Sequence, residues 1–173
     1  SLNNKTKWFS QCFNRAHIWA KQLSDNYQVN SMKILIYYTK KYRREINKKW
    51  WFHIAPMVQV GGERYVLDRE FTRRPVTDEN WEKIFTKKME KKGIYGYRCK
   101  VIKNIKEYYD ANNQANEYCN IQVTSMYYWE PNDMSRLDKK GIQKTEFNNR
   151  ELRIASKEAF KKWRKVYKKI KIQ

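Results

Sequence analysis

Residues 50–67 read WWFHIAPMVQVGGERYVL, and this stretch predicts the central hairpin of the fold. Two runs rich in β-branched and aromatic residues, Trp50–Val60 and Glu63–Leu67, flank the dipeptide Gly61-Gly62. Glycine adopts the positive φ angles that two-residue turns between antiparallel strands require. We therefore predict a strand, a tight turn and a second strand that ends at Asp68.

Further elements precede this hairpin. The spacing of apolar residues predicts a helix over about Gln11–Leu23, with Ser10 as its N-cap and Asp25-Asn26 as its exit turn. The Ile- and Tyr-rich segment Met32–Tyr38 predicts a strand, and the polar segment Lys40–Lys49 predicts a connection. The hairpin is thus expected to pair with a third strand beside an amphipathic helix.

The chain after the hairpin continues the mixture of helices and strands. The predicted elements are a helix that starts at Thr77–Asn80 and stops at Gly93 and Gly96, a helix around Val101–Tyr109, a polar loop over Asn112–Asn116, a strand over Ile121–Trp129 and a basic amphipathic helix over Glu151–Ile170. No internal repeat or long linker divides the sequence. We predict one α+β domain over residues 1–173, with an antiparallel sheet packed against a helix.

The composition is that of a strongly basic folded chain. Its 173 residues include 38 Lys and Arg against 18 Asp and Glu, a net charge of +20, and 16% are aromatic, which argues against disorder. No apolar run approaches the roughly 20 residues of a membrane-spanning helix. The positive field attracts acidic partners such as nucleic acid, anionic lipid or acidic protein. No base-reading motif is present, so the charge alone does not define a function.

Three side chains are placed for nucleophilic chemistry. Cys12 falls in the first turn of the predicted N-terminal helix, where the helix dipole lowers the pKa of a thiol. His53 lies in an apolar strand, and Asp68 ends the strand predicted to pair with it. A thiolate, an imidazole and a carboxylate that orients the imidazole make a workable Cys-His-Asp arrangement.

The roles of the other histidine and the other two cysteines are less specific. His17 lies five positions after Cys12, so the two side chains diverge on a helix, and we expect His17 to support the helix. The three cysteines, Cys12, Cys99 and Cys119, form no Cys-x-x-Cys pair, and two histidines are too few for a zinc finger. They are either one pair and one remaining thiol or three thiols. We expect no metal and no cofactor.

Three segments in the same order resemble the bacterial protein-glutaminases, which are protein deamidases. Gln11–His17 (QCFNRAH) resembles the family's Cys-x-x-Arg-Ala-His signature, and Phe52–Ala55 (FHIA) resembles its histidine strand. Val66–Phe71 (VLDREF), followed by Arg74–Trp81 (RPVTDENW), resembles the segment around its catalytic aspartate. The good match runs from Gln11 to about Trp81, less than half of the chain.

The resemblance implies a transglutaminase-like or papain-like core and a reaction. Cys12 would be the nucleophile at the helix N-terminus, His53 the general base and acid, and Asp68 the residue that orients the imidazole. The implied activity is hydrolysis of protein-bound glutamine to glutamate through a Cys12 thioester, with release of ammonia. A transglutaminase or a cysteine protease would use the same three residues.

The partners and location follow from the resemblance and the charge. The expected partner is a protein or peptide that bears glutamine, with acidic substrates favoured by the charge, and a propeptide or an immunity or inhibitor protein is a further expectation. Known members of the family are secreted, so we expect a secreted or delivered bacterial protein. Cys99 and Cys119 are either joined in a disulfide or reduced. A non-catalytic basic module that binds nucleic acid or an anionic membrane, the latter through Glu151–Ile170, is the alternative.

Overall fold

The described part of the chain is built around one six-stranded sheet. A computed structural model describes residues 12–47, 50–126 and 128. In chain order the elements are α1 (Cys12–Tyr27), β1 (Met32–Tyr38), α2 (Lys40–Glu45), β2 (Phe52–Val60), β3 (Glu63–Val66), β4 (Val76–Thr77), α3 (Asp78–Glu90), β5 (Lys100–Val101), α4 (Ile105–Tyr109), α5 (Ala111–Asn116) and β6 (Cys119–Ser125). The strand order is β4-β3-β2-β1-β6-β5. The predicted α+β class is confirmed, but the sheet is mixed, because β5 runs parallel to β6 while every other pair is antiparallel.

The predicted hairpin forms β2 and β3. Gly61 and Gly62 have φ angles of 58° and 87°, which a side chain would disfavour at both positions of the turn. Val60 pairs with Glu63 directly across the turn. The tight turn therefore fixes the register that leads the chain from β3 to Asp68.

Strand β1 matches its predicted bounds and lies in the middle of the sheet, between β2 and β6. Its residues alternate between two buried clusters, as the period of a strand requires. Ile34 and Ile36 belong to a cluster that includes α3 through Trp81 and Phe85. Leu35 and Tyr37 belong to a second cluster, whose buried members also include Cys12, Ala16, Ile54, Ile102, Ile105 and Tyr108. The sheet is thus covered on both sides at its centre.

Helix α1 is longer than predicted at its C-terminus. Asp25-Asn26 lies inside the helix, and the expected exit turn is wrong. The helix ends instead at Gln28, whose φ is 55°, with the amides of Gln28 and Val29 bonded to the carbonyls of Ser24 and Leu23 at 3.0 and 3.1 Å. This left-handed residue and its two hydrogen bonds form a helix C-cap that glycine usually provides. Ser10 lies outside the described residues, so an N-terminal position for Cys12 stays a prediction.

Two segments that were predicted to be polar connections contain short helices. Within Lys40–Lys49, the chain forms α2, because the Thr39 side chain accepts from the amide of Tyr42 and the Tyr42 ring is buried. The predicted loop Asn112–Asn116 belongs to α5, which is capped by Asp110. In both helices a capping side chain satisfies amides that the first turn leaves without partners.

The remaining differences lie toward the C-terminal side. The predicted helix around Val101–Tyr109 is a short strand, β5, followed by α4 with an Asn104 capping box. Helix α3 begins after the N-cap Thr77 and ends at Glu90, before Gly93. The last predicted strand is shifted: β6 starts at Cys119 and ends at Ser125.

Two predicted features lie outside the described residues: Trp129, at the end of the last predicted strand, and the predicted helix Glu151–Ile170. A disulfide joins Cys99 to Cys119 at the start of β6, and Cys12 keeps its thiol. Among the helices that the structure describes, none is long and apolar enough to cross a membrane.

Candidate active site

The structure brings the three residues singled out in the sequence together. Strand β2 carries His53, whose Nε2 lies 2.8 Å from Oδ2 of Asp68 in the segment after β3. The same imidazole is hydrogen-bonded to the side chain of Cys12 in the first described turn of α1. Since Nε2 faces Asp68, the nitrogen that remains for the sulfur is Nδ1, which has no nitrogen or oxygen partner within the described ranges. The imidazole thus lies between a sulfur and a carboxylate.

The Asp68 carboxylate is held by three donors. Oδ2 accepts from the His53 ring and from Nε1 of Trp81, each at 2.8 Å, and Oδ1 accepts from the backbone amide of Glu70 at 3.1 Å. Burial by itself raises the pKa of the carboxyl, but the hydrogen bond and charge of His53, with the bonds from Trp81 and Glu70, lower it below its usual value. Asp68 is therefore held as the anion.

His53 is held as the cation. Burial alone would lower the pKa of the imidazole, but the hydrogen bonds and negative charges of Asp68 and Cys12 outweigh it and raise the pKa to about 10. A protonated imidazole beside a sulfur favours the thiolate, the form of cysteine that acts as a nucleophile. The electrostatics of the group therefore suit nucleophilic chemistry near neutral pH.

Aromatic rings fix the orientation of the imidazole. Phe71 meets the His53 ring edge-on with centroids 4.9 Å apart, and Phe85 lies at 5.7 Å. Trp81 and Trp50 stack on it at 6.0 and 6.4 Å. Because these rings leave little space for rotation, the two nitrogens keep their separate partners.

A buried ion pair links the helix of Cys12 to the segment of Asp68. The guanidinium of Arg15, one turn after Cys12, donates to the carboxylate of Glu70, two residues after Asp68, and both side chains are about 5% exposed. Arg15 was noted in the sequence only as part of a motif, and Glu70 was not singled out. The signal for Glu70 was its position beside Asp68, but only the fold shows that an arginine from α1 reaches it.

His17 contacts a buried lysine of the sheet. Its Nδ1 lies 2.6 Å from Nζ of Lys33, a fully buried lysine in β1 that also donates to the backbone carbonyl of Tyr128. Burial, and secondarily the charge of Lys33, lower the pKa of His17 to about 3, so the ring is the neutral acceptor of this bond. Among the described residues, no group of three metal-ligating side chains is assembled.

The group formed by Cys12, His53 and Asp68 is closed to solvent. Cys12, His53 and Asp68 are 1%, 0% and 4% exposed. Partly buried aromatic side chains pack against the cluster that contains Cys12, and they are Phe13, Trp51, Phe52 and Tyr128. Because Cys12 is buried, a molecule that reacts with its sulfur has to displace part of the protein that surrounds it.

Comparisons with known proteins find similarity over the segment that carries these three residues. Residues 6–85 match a family model described as glutaminase, a segment that includes Cys12, His53 and Asp68. The matched segment, which is similar to glutaminases, makes up just under half of the chain. A structure search finds the NMR structure of protein-glutaminase from Chryseobacterium proteolyticum, at 16% identity over 69% of this chain, with a TM-score of 0.40. The match spans 55% of that chain. No curated protein matches.

Proposed function

We propose that the protein hydrolyses the side-chain amide of protein-bound glutamine, with Cys12 as nucleophile, His53 as general acid and base, and Asp68 as the residue that orients His53. The observation that carries the proposal is the contact series from the Cys12 sulfur through His53 to Asp68, with 2.8 Å between the imidazole and the carboxylate. The glutaminase match over residues 6–85 supports the choice of an amide substrate.

The first half of the reaction forms a thioester. The Cys12 thiolate attacks the δ-carbon of the glutamine, and the resulting oxyanion is stabilised by backbone N–H groups at the start of α1. His53 gives its proton to the amide nitrogen, which leaves as ammonia. The γ-glutamyl group is then bonded to sulfur, and His53 is neutral.

The second half returns the enzyme to its starting state. His53 takes a proton from water as the water oxygen attacks the thioester carbon. Collapse of this intermediate releases glutamate and restores the Cys12 thiolate beside a protonated His53. Asp68 stays ionised throughout, and its charge stabilises the imidazolium that exists at the start and end of each cycle.

The buried sulfur adds a step before the chemistry. A glutamine side chain has to displace part of the aromatic cover, which includes Trp51 and Tyr128. Once these rings have moved, the narrow amide reaches the sulfur, and the water of the second half-reaction takes the place of the departed ammonia. The low polarity of the surroundings strengthens the charge interactions among the three residues.

Mass spectrometry of a glutamine-containing protein tests the proposal against its rivals. Deamidation raises the mass by about 1 Da per glutamine, with ammonia released and the chain intact. Cleaved chains would indicate a protease, and incorporation of an added primary amine would indicate a transglutaminase. Binding to RNA or anionic vesicles that weakens steeply with salt, without any of these reactions, would favour a basic binding module.

Variants at the catalytic residues complete the test. Cys12→Ala and His53→Ala are expected to abolish ammonia release while the fold is retained. His17→Asn is the matched control for His53, since His17 is the only other histidine and an asparagine oxygen can replace its Nδ1 as acceptor. Ammonia release that survives Cys12→Ala would show that the assignment is wrong.

A further inference from the structure

The segment that carries Asp68 alternates buried and exposed side chains. Asp68 and Glu70 are buried, at 4% and 9% exposure, whereas Arg69 between them is exposed. Arg73 and Arg74 follow and are also exposed. We call Arg69, Arg73 and Arg74 the arginine loop.

The backbone of this segment is anchored at the catalytic group. The amide and the hydroxyl of Thr72 both donate to the carbonyl of Asp68, at 2.8 and 2.9 Å. The Phe71 ring packs on His53, and Glu70 is held by Arg15. The arginine loop is therefore presented from a fixed backbone turn and not from a loose connection.

The charges of the arginine loop are not neutralised by any residue that the structure describes. Nearby Arg64, on β3, pairs with Asp78 at 2.5 Å. No carboxylate of the described residues lies within ion-pair distance of Arg69, Arg73 or Arg74. Three positive charges within six residues thus face solvent beside the residue that orients His53.

We propose that the arginine loop selects glutamines that have aspartate or glutamate a few residues away in the substrate chain. This inference rests on the proposed function. The guanidinium group is suited to carboxylates because it can form two parallel hydrogen bonds to one of them. The substrate class is therefore acidic protein segments, recognised next to the catalytic group and not only by the overall charge of the protein.

Distances along the chain place the loop within reach of such a substrate. The Cα atoms of Arg69 and Asp68 are neighbours, about 3.8 Å apart, and the Asp68 carboxylate is 2.8 Å from His53. An extended peptide advances about 3.3 Å per residue. An acidic side chain two to four residues from the glutamine is therefore displaced from it by about 7–13 Å along an extended substrate chain. Charges at such separations, close to the Debye length of about 8 Å at physiological salt, still interact.

Three peptides of equal length and one variant pair test the proposal. Each peptide has one central glutamine, flanked at two and three residues on both sides by Glu, by Ala or by Lys. Ammonia release gives kcat/KM for each. We expect the Glu peptide to exceed the Ala peptide about 5- to 10-fold and the Lys peptide to fall below it, since each exposed ion pair contributes about 2- to 5-fold.

The variant Arg69→Gln/Arg73→Gln is expected to reduce the Glu-to-Ala ratio to nearly 1. Its control is Lys87→Gln/Lys88→Gln, which removes the same charge from two exposed positions on α3. The control should keep the ratio of the unmodified protein. The ratio cancels any common loss of activity, so partial unfolding of a variant does not imitate the result.

Two outcomes overturn the proposal while the proposed function stands. One is ammonia release with equal kcat/KM for the Glu and Ala peptides. The other is an equal fall of the ratio in both variants, which would assign the preference to the net charge of +20 and not to the arginine loop. No ammonia from any of the three peptides or from an intact protein would overturn the proposed function, and this inference with it.

Discussion

Replacing Asp68 by asparagine isolates the charge of the carboxylate, because the two side chains have nearly the same shape. The asparagine oxygen can occupy the place of Oδ2 and still accept from His53 and Trp81, the partners at 2.8 Å. Its NH₂ group then faces the amide of Glu70, which is also a donor. The variant thus loses one hydrogen bond and the negative charge, while the ring of His53 keeps its position.

The expected loss follows from the two bonds whose acceptor becomes neutral. Hydrogen bonds to charged groups contribute about 1.5–3 kcal/mol, against about 1 kcal/mol between neutral groups. The change at the His53 and Trp81 bonds is therefore about 1–4 kcal/mol. If this energy stabilises the imidazolium form, kcat/KM for ammonia release should fall about 5- to 10³-fold.

The same substitution should move the alkaline limb of the pH profile. In the proposed reaction His53 protonates the leaving nitrogen, so activity should be lost as pH rises through the pKa of His53, which lies at about 10 in the folded protein. Loss of the Asp68 charge lowers this pKa, and the limb shifts toward neutral pH.

Asp110→Asn is the matched control, because Asp110 caps α5 and has no contact with the catalytic group in the described structure. It should leave kcat/KM and the limb unchanged. If Asp68→Asn retained activity within about threefold of the unmodified protein, with the limb in place, the orienting role of Asp68 would be refuted.

Three further predictions concern the surroundings of the site. Arg15→Met should lower the free energy of unfolding by about 3–5 kcal/mol, because Glu70 is left buried without a cation. In denaturant titrations, the double variant Arg15→Met/Glu70→Gln should recover part of this stability. No recovery in the double variant would contradict a stabilising ion pair. His17 binds a proton near pH 6.5 in the unfolded chain but only near pH 3 in the folded chain. The free energy of unfolding should therefore fall by about 4–5 kcal/mol as the pH is lowered from 6.5 to 3. The His17→Asn variant should lack that dependence, and an unchanged acid limb would refute the assignment. Tyr128→Ala removes one of the aromatic rings but keeps the backbone carbonyl that accepts from Lys33. Iodoacetamide should then alkylate Cys12 several-fold faster. An unchanged rate would show that other residues cover the sulfur.

The sequence was sufficient where local chemistry decides the structure. The bounds of β1, the hairpin at Gly61-Gly62 and the start of α3 after Thr77 all agree with the prediction. Each depends on side chains that lie within a few residues of one another. The hairpin also brings Asp68 near His53, because its register, continued past Val66, sets Asp68 opposite Ala55, which lies two residues from His53 on the same face of β2.

Short helices were missed because their stability comes from distant contacts. An isolated helix of six residues, such as α2 or α5, is not stable in water. Helix α2 is held by burial of Tyr42, whose hydroxyl donates to the carbonyl of Phe85 in α3 at 3.4 Å. In α5, Asn113 bonds to Asn120 of β6. Polar composition alone therefore predicted loops.

The sequence alone thus determined the hairpin and the middle strand, and it singled out Cys12, His53 and Asp68, the three residues that we propose to be catalytic. The tertiary structure decided the contacts between residues far apart in the chain: the Arg15–Glu70 pair, the burial of Lys33 against His17, and the disulfide between Cys99 and Cys119. A charge placed in an apolar strand or one turn after a cysteine looks solvent-exposed in a sequence. Only the tertiary packing of α1 brings Arg15 to Glu70 and His17 to Lys33, and these contacts make the burial of the polar groups possible.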